Sequence, residues 1–357
     1  MPDLHPAASV TIPADRLRGY AHDILVRLGA AAADAAAVAD HLIAADLAGV
    51  RSHGVAMLPW YGELIAAGQL HPRAEVEIMR DRGAAFSLDG HFGLGQVCAN
   101  VAVRMLTDRA RQHGLACATG KNAGHIGRLG HYTAELARHG LIGMVVINYQ
   151  GAAQDVAPFG GREGRLSNDP ISIAAPAAGA PVVADMALST AAMIKVQRAL
   201  DRGERQVPDG WLLDASGSPA TDPGVLQRGG TLLPLGGRNS GHKGSGLLLA
   251  DIMAGALSEG GVCRPGAAES FTNAFFMLAL DIGLLTDRAR YDNAVEELRA
   301  HVTSSAPRED SAEVLFPGER EARETARQLA DGVHIERADW GRVVRLGDRL
   351  GVAAPAP

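Results

Sequence analysis

Two histidines stand where an imidazole could exchange a proton with a small molecule. Ser52-His53-Gly54 follows a glycine stop at Gly49 and opens a stretch of helical spacing. With Ser52 as N-cap, His53 falls in the first helical turn, where exposed backbone N–H groups disfavour imidazolium and keep the ring neutral near pH 7. Met57 and Tyr61 follow at i+4 and i+8, so histidine, thioether and phenol share one helix face and could line a pocket. The plainer alternative is that His53 finishes a cap while Met57 and Tyr61 are core. The second context is Asn122-Ala123-Gly124-His125-Ile126-Gly127-Arg128. Glycines on both sides of His125 permit close approach by backbone or ligand, although a loop histidine is more often simply exposed.

Other chemistries find less support. GHFGLGQVC at 90–98 misses the dinucleotide fingerprint because Cys98 stands where a third glycine or alanine belongs. In residues 237–245 His242 separates Gly241 from Lys243, which breaks the phosphate-binding loop spacing. Residues 244–257 still read as a helix, and amides at its start beside Lys243 could hold a phosphate or nicotinamide-bearing group. There is no HExxH and no G-x-S-x-G elbow. Cys98, Cys117 and Cys263 are far apart with no CxxC, so neither a disulfide framework nor a metal site is expected.

The elements that must position these residues belong to a chain of 357 residues, long enough for two or three lobes. It is 47% hydrophobic and 21% charged, which excludes wholesale disorder. A formal charge of −6, with only 4% aromatic residues, argues against nucleic-acid partners. No apolar run is long enough to span a membrane and the N-terminus lacks a signal-peptide pattern, so a soluble, cytoplasmic protein is expected. Helical spacing runs through Leu17, Ala21, Ile24, Leu25 and Leu28, then residues 30–48, then 54–67. Beyond residue 74, β-like pieces (84–88, 115–118, 141–147, 181–184, 274–280) alternate with helical ones (96–112, 127–138, 189–200, 244–257, 286–301). The tail reads as helix 320–331, β-like 333–337 and a final helix. Taken alone, this alternation predicts an α/β fold with a central sheet of the parallel Rossmann kind.

Seven stretches, in order, resemble the malate/L-lactate dehydrogenase-like family of NAD(P)-dependent oxidoreductases. They are ADHLIAADLAGVRSHG (39–54), NAGHIGRLGHYTAELARHGLIG (122–143), VAPFGG (156–161), DMALST (185–190), PDGWLLDASGSPATDP (208–223), PLGG with HKGSGLLLADIMAGAL (234–237, 242–257), and FPGERE (316–321). The family also contains ureidoglycolate dehydrogenase, 2,3-diketogulonate reductase and Δ1-piperideine-2-carboxylate reductase. The resemblance overrules the Rossmann reading. It implies a non-Rossmann cofactor-binding domain with a mixed, largely antiparallel sheet, plus a helical domain. The expected division is a helical domain at 1–75, a cofactor-binding domain at 76–310, and a segment at 311–357 returning to the helical domain.

The same resemblance implies a homodimer and hydride transfer between NAD or NADP and a small carbonyl or hydroxy compound. The family's proton-transferring histidine sits in one or the other of two segments, here at His53 or His125; His53 is the expected acid/base with His125 orienting the substrate oxygen, and the reverse assignment is the alternative. Ser52, Met57 and Tyr61 fall on the substrate side. Cofactor contacts map onto Asp185, Met186, Ser189, His242, Lys243, Gly318 and Glu319, and onto Asn168 in the Ser167–Pro170 turn, where only the proline of the family's G-T-N-P is kept. Arg198 and Arg202 could meet a 2′-phosphate, though solvated helix-face arginines are the simpler reading. Met57 stands where the family has an arginine that pairs with the substrate carboxylate. Either Arg51, Arg128 or Arg162 takes over, or the substrate is not a simple 2-hydroxy acid, or the ancestral reaction is lost; a changed substrate is the favoured expectation. Cyclic imine reduction and a catalytically silent ligand-binding scaffold are the alternatives.

Overall fold

A computed structural model of the chain describes residues 9–149, 154–264 and 272–356; the first eight residues of the expected helical segment lie outside them. Helices Ala14–Arg27 and Ala32–Leu47 present Leu17, Ile24 and Leu25 to Val38, Leu42 and Ile43, all fully buried. This is the 3.6-residue spacing read from the sequence. The end of the chain completes that core. Val333–Glu336 pairs antiparallel with Ser9–Ile12, and helix Arg337–Leu350 adds Trp340, Val343 and Leu346.

Among the described residues the main sheet has seven strands, in spatial order Glu77–Arg82, Ala85–Gly93, Leu115–Ala123, Asn273–Asp281, Leu141–Asn148, Ile171–Ala175 and Val182–Met186. Only the second and third run parallel; every other neighbour is antiparallel. The fold is therefore α/β with a mixed, largely antiparallel sheet, and the parallel Rossmann arrangement suggested by the βα alternation is not formed. Insertion of the late strand Asn273–Asp281 between strands that come far earlier in sequence produces this order, and no local pattern announces it.

That central strand is covered on both faces. Phe275, Met277 and Ala279 join the core beneath helices Gly95–His113 and Leu129–Arg138, while Phe276 packs with Val146, Ala250 and Ala254 on the other side. Two faces of apolar burial give a continuous hydrophobic run instead of alternation. The edge strand Glu77–Arg82 is the opposite case, exposed throughout and charged at Glu77, Arg80, Asp81 and Arg82, which discourages pairing with another sheet.

Candidate active site

The Ser52-His53-Gly54 segment is not the start of a helix. Two short 3₁₀ turns, Arg51–His53 and Val55–Met57, are separated by extended backbone at Gly54, and the α-helix begins only at Leu58. Ser52 does not cap it; its Oγ lies 2.8 Å from His53 Nδ1 instead. His53, Met57 and Tyr61 consequently do not share one helix face. The turn is held from below by Asp46, whose buried Oδ2 accepts the Val55 N–H at 2.8 Å. A Cβ on Gly54 would sit 1.7 Å from Asp46 Oδ1, so only glycine fits there. Gln328 donates to the Asp46 and Leu47 carbonyls, tying this turn to the C-terminal segment.

His125 rides on a loop anchored at several points. Gly124 N donates to Gly93 O at 2.9 Å, Ile126 N to Asn273 Oδ1 at 3.1 Å, and Arg128 N to His41 Nε2 at 2.9 Å. The Tyr132 hydroxyl donates to Ile126 O. Gly127 has φ +79°, and a Cβ there would meet His41 Nε2 at 2.2 Å. The glycines of the 90–95 stretch serve the same packing: a Cβ on Gly95 would lie 2.0 Å from Gly124 O. Close backbone approach, not phosphate binding, explains that glycine-rich segment.

These two segments bring the imidazoles together. The His53 and His125 ring centroids are 5.4 Å apart and their planes 28° from parallel. Tyr61 Oη lies 2.8 Å from His125 Nδ1 and receives the Gln96 Nε2–H at 2.7 Å. Trp60 sets the edge of its ring system against His125, 5.7 Å between centroids. Burial, reinforced by the charges of Arg128 and Arg198, pushes the His53 pKa down to about 4. A helix N-terminus plays no part in that shift. Burial and the neighbouring His53 push His125 down to about 3. Both rings are neutral at physiological pH.

Met57 is half-buried against the helical core and brings no charge. Of the three arginines considered for its place, Arg162 is exposed and Arg51 acts electrostatically on Asp46 and Glu324. Arg128 alone follows His125 on the same loop; its side chain is 12% exposed, with Nε 3.6 Å from Asp185 Oδ2. That Nε is buried without a hydrogen-bond partner.

Asp185 and Met186, two of the residues expected to contact a cofactor, end the strand Val182–Met186. Asp185 Oδ2 accepts the Gly130 N–H at 2.9 Å, so it joins the His125 loop directly. Met186 is exposed. The Ser189 hydroxyl donates to Asn168 Oδ1, and Asn168 O accepts the Leu188 N–H. Gly318, with φ +90°, packs on the backbone of Val183, while Glu319 is engaged by Arg299 Nη1 at 2.8 Å and Phe316 N at 3.0 Å. His242 and Lys243 are exposed on helix Gly237–Gly246. That helix starts seven residues earlier than the spacing predicts and ends at Gly246, so His242 and Lys243 lie within it and not at an N-terminus. The donor set suits a nicotinamide dinucleotide: Lys243 and His242 could meet a pyrophosphate, and Met186 offers an apolar surface to a ring. Arg198 is half-buried and bound to Asp339 at 2.8 Å, whereas Arg202 is exposed to solvent and paired with Glu204 at 2.6 Å.

Sequence reasoning passed over Asp46, Gln96, His41 and Trp60. The first three had a usable signal, since each is a polar residue among alanines, valines and leucines on a helix that must bury that face. Among the described residues no His, Cys, Asp and Glu cluster suits a metal ion, the three cysteines are free thiols, and no helix is long and apolar enough to cross a membrane.

Comparison with known proteins agrees with this fold. The malate/L-lactate dehydrogenase family profile matches residues 12–344. The L-lactate dehydrogenase of Cupriavidus necator is 35% identical over 349 residues, 95% of this chain and 97% of that protein. The malate dehydrogenase structure from Pyrococcus horikoshii superposes with a TM-score of 0.88 at 28% identity, covering 99% of this chain and 100% of that one. The Δ1-piperideine-2-carboxylate reductase structure from Pseudomonas syringae gives 0.80 at 28% identity, covering 94% and 99%. The chain belongs to the malate/L-lactate dehydrogenase family of oxidoreductases.

Proposed function

We propose that the protein interconverts a small hydroxy acid and its 2-oxo acid with NAD or NADP, using His53 as the proton acceptor and His125 as the hydrogen-bond donor to the substrate oxygen. The meeting of His53 and His125 at one site, with Tyr61 bonded to the latter, carries this reading. A bound nicotinamide would supply the hydride chemistry at the carbinol or carbonyl carbon. The chain supplies the rest. A neutral His53, its Nδ1 engaged by Ser52, can take the hydroxyl proton on Nε2 during oxidation. His125 stabilises the oxygen as its charge changes. Trp60 and Tyr61 wall the site and keep the two rings in place for a pre-oriented encounter.

Arg128 is the cation best placed to hold the acid group that Met57 cannot. Its charge acts on His53, which favours a hydroxy acid over the changed substrate that Met57 alone suggests. Asp185, Met186, Ser189, His242 and Lys243 would hold the cofactor, with Asn168, Gly318 and Glu319 supporting them. A cytoplasmic homodimer is the assembly this reading carries. Likeness to the piperideine-carboxylate reductase favours a cyclic imine as the second substrate class. The intact histidine pair weighs against a silent scaffold.

Thermal-shift titration with NADH and NADPH identifies the coenzyme. Initial rates with 2-oxo acids and with cyclic imines, using the better binder, then separate the two substrate classes. Stabilisation by neither dinucleotide, or turnover of neither class, sinks the proposal.

A further inference from the structure

We propose that Gln96 is a positioning residue: acting through Tyr61, it holds His125 in the tautomer whose proton sits on Nε2. Gln96 lies in the first turn of helix Gly95–His113 and is completely buried. Its Nε2 donates to Tyr61 Oη at 2.7 Å, and that oxygen lies 2.8 Å from His125 Nδ1. Tyr61 is itself buried, and burial pushes its pKa up, so the phenol keeps its single proton. With the amide donating to the phenol oxygen, the phenol O–H turns to His125 Nδ1. That nitrogen can accept only if it is bare, and a neutral ring then carries its hydrogen on Nε2.

The amide orientation has a physical basis. Gln96 Oε1 is buried and unpartnered as it stands. Reversing the amide would satisfy that oxygen but strand the NH₂ group, and an orphaned donor is the rarer and costlier outcome. The relay therefore runs in one direction, Gln96 to Tyr61 to His125. It assigns His125 the donor role and leaves proton acceptance to His53.

The inference rests on the proposed reaction for its consequence, but its test does not. In full-length protein with ¹⁵N-labelled histidine, the His125 ring signals, assigned by difference against His125→Gln, should show a bare Nδ1 and a protonated Nε2 at pH 7 without substrate. Gln96→Glu replaces the donor by an acceptor that draws the phenol proton, and it should shift the ring toward the Nδ1–H form. Gln96→Met should lower kcat about tenfold, the usual weight of one neutral hydrogen bond, with KM for the coenzyme unchanged. A protonated Nδ1 in the unmodified protein overturns the assignment whatever the variants do. So does a Gln96→Glu protein with an unchanged tautomer. If the tautomer is as stated but no substrate turns over, the relay stands and the reaction falls.

Discussion

The ring of His53 faces the ring of His125 across 5.4 Å, although 72 residues of chain separate them (125 − 53). One imidazole comes from a pair of 3₁₀ turns in the helical core, the other from a loop at the end of a sheet strand. Their proximity gives each ring a distinct and testable task.

His53→Ala should lower turnover by about 10²–10⁴-fold, the usual contribution of a positioned proton-transferring group, and His125→Ala by about 10²–10³-fold, the usual worth of one donor to the substrate oxygen. Steady-state kcat on the true substrate is the readout, and unchanged kcat removes the residue from the mechanism.

Both rings should stay neutral well below the usual histidine range. Burial opposes the charged form, so the midpoints fall to about 4 for His53 and about 3 for His125. As pH drops below 6.5 the unfolded chain takes up protons that the folded site refuses, so this contribution to stability is present above 6.5 and lost toward 4. NMR titration of the two rings checks it; a midpoint near 6.5 for either contradicts it.

Asp46 behaves in the opposite sense. Burial raises its carboxyl from 3.8 to about 7, against the lowering effect of the Val55 N–H. The raised value stabilises the fold below 3.8, and that contribution fades as pH climbs to about 7. Asp46→Asn keeps an acceptor for Val55 and should gain on the parent by up to about 1.4 kcal/mol per pH unit across that window. Denaturant melts at several pH values measure the gap, and a constant difference rules the account out.

Arg128→Met should raise KM for hydroxy acids about 10–100-fold with a smaller effect on kcat, as expected for loss of a charge-assisted hydrogen bond. Met57→Arg should improve 2-oxo acid turnover by restoring a cation at that position. If the Arg128 variant binds hydroxy acids normally, the acid group is held elsewhere.

Gly54→Ala has no room for its methyl beside Asp46. The SHG turn must shift, at a cost of about 1–3 kcal/mol, and turnover should fall while coenzyme binding persists. Unaltered kcat would show that the turn tolerates displacement.

Much of this molecule was legible before its coordinates. Helical spacing marked the Leu17–Leu25 and Val38–Ile43 faces, and residue order singled out His53 and His125 as two separate contexts, but the single helix face expected for His53, Met57 and Tyr61 is not formed. Periodicity depends on neighbours a few residues apart, so the sequence carries it openly. What it could not show was contact between distant segments. Only the tertiary structure decided that Asn273–Asp281 enters the middle of the sheet, that Ser52 bonds to a histidine instead of capping a helix, and that Gln96 and Asp46 stand behind the two imidazoles. Burial, which sets the shifted pKa values of His53, His125, Tyr61 and Asp46, is likewise a property of packing from all sides, and no stretch of sequence states it alone.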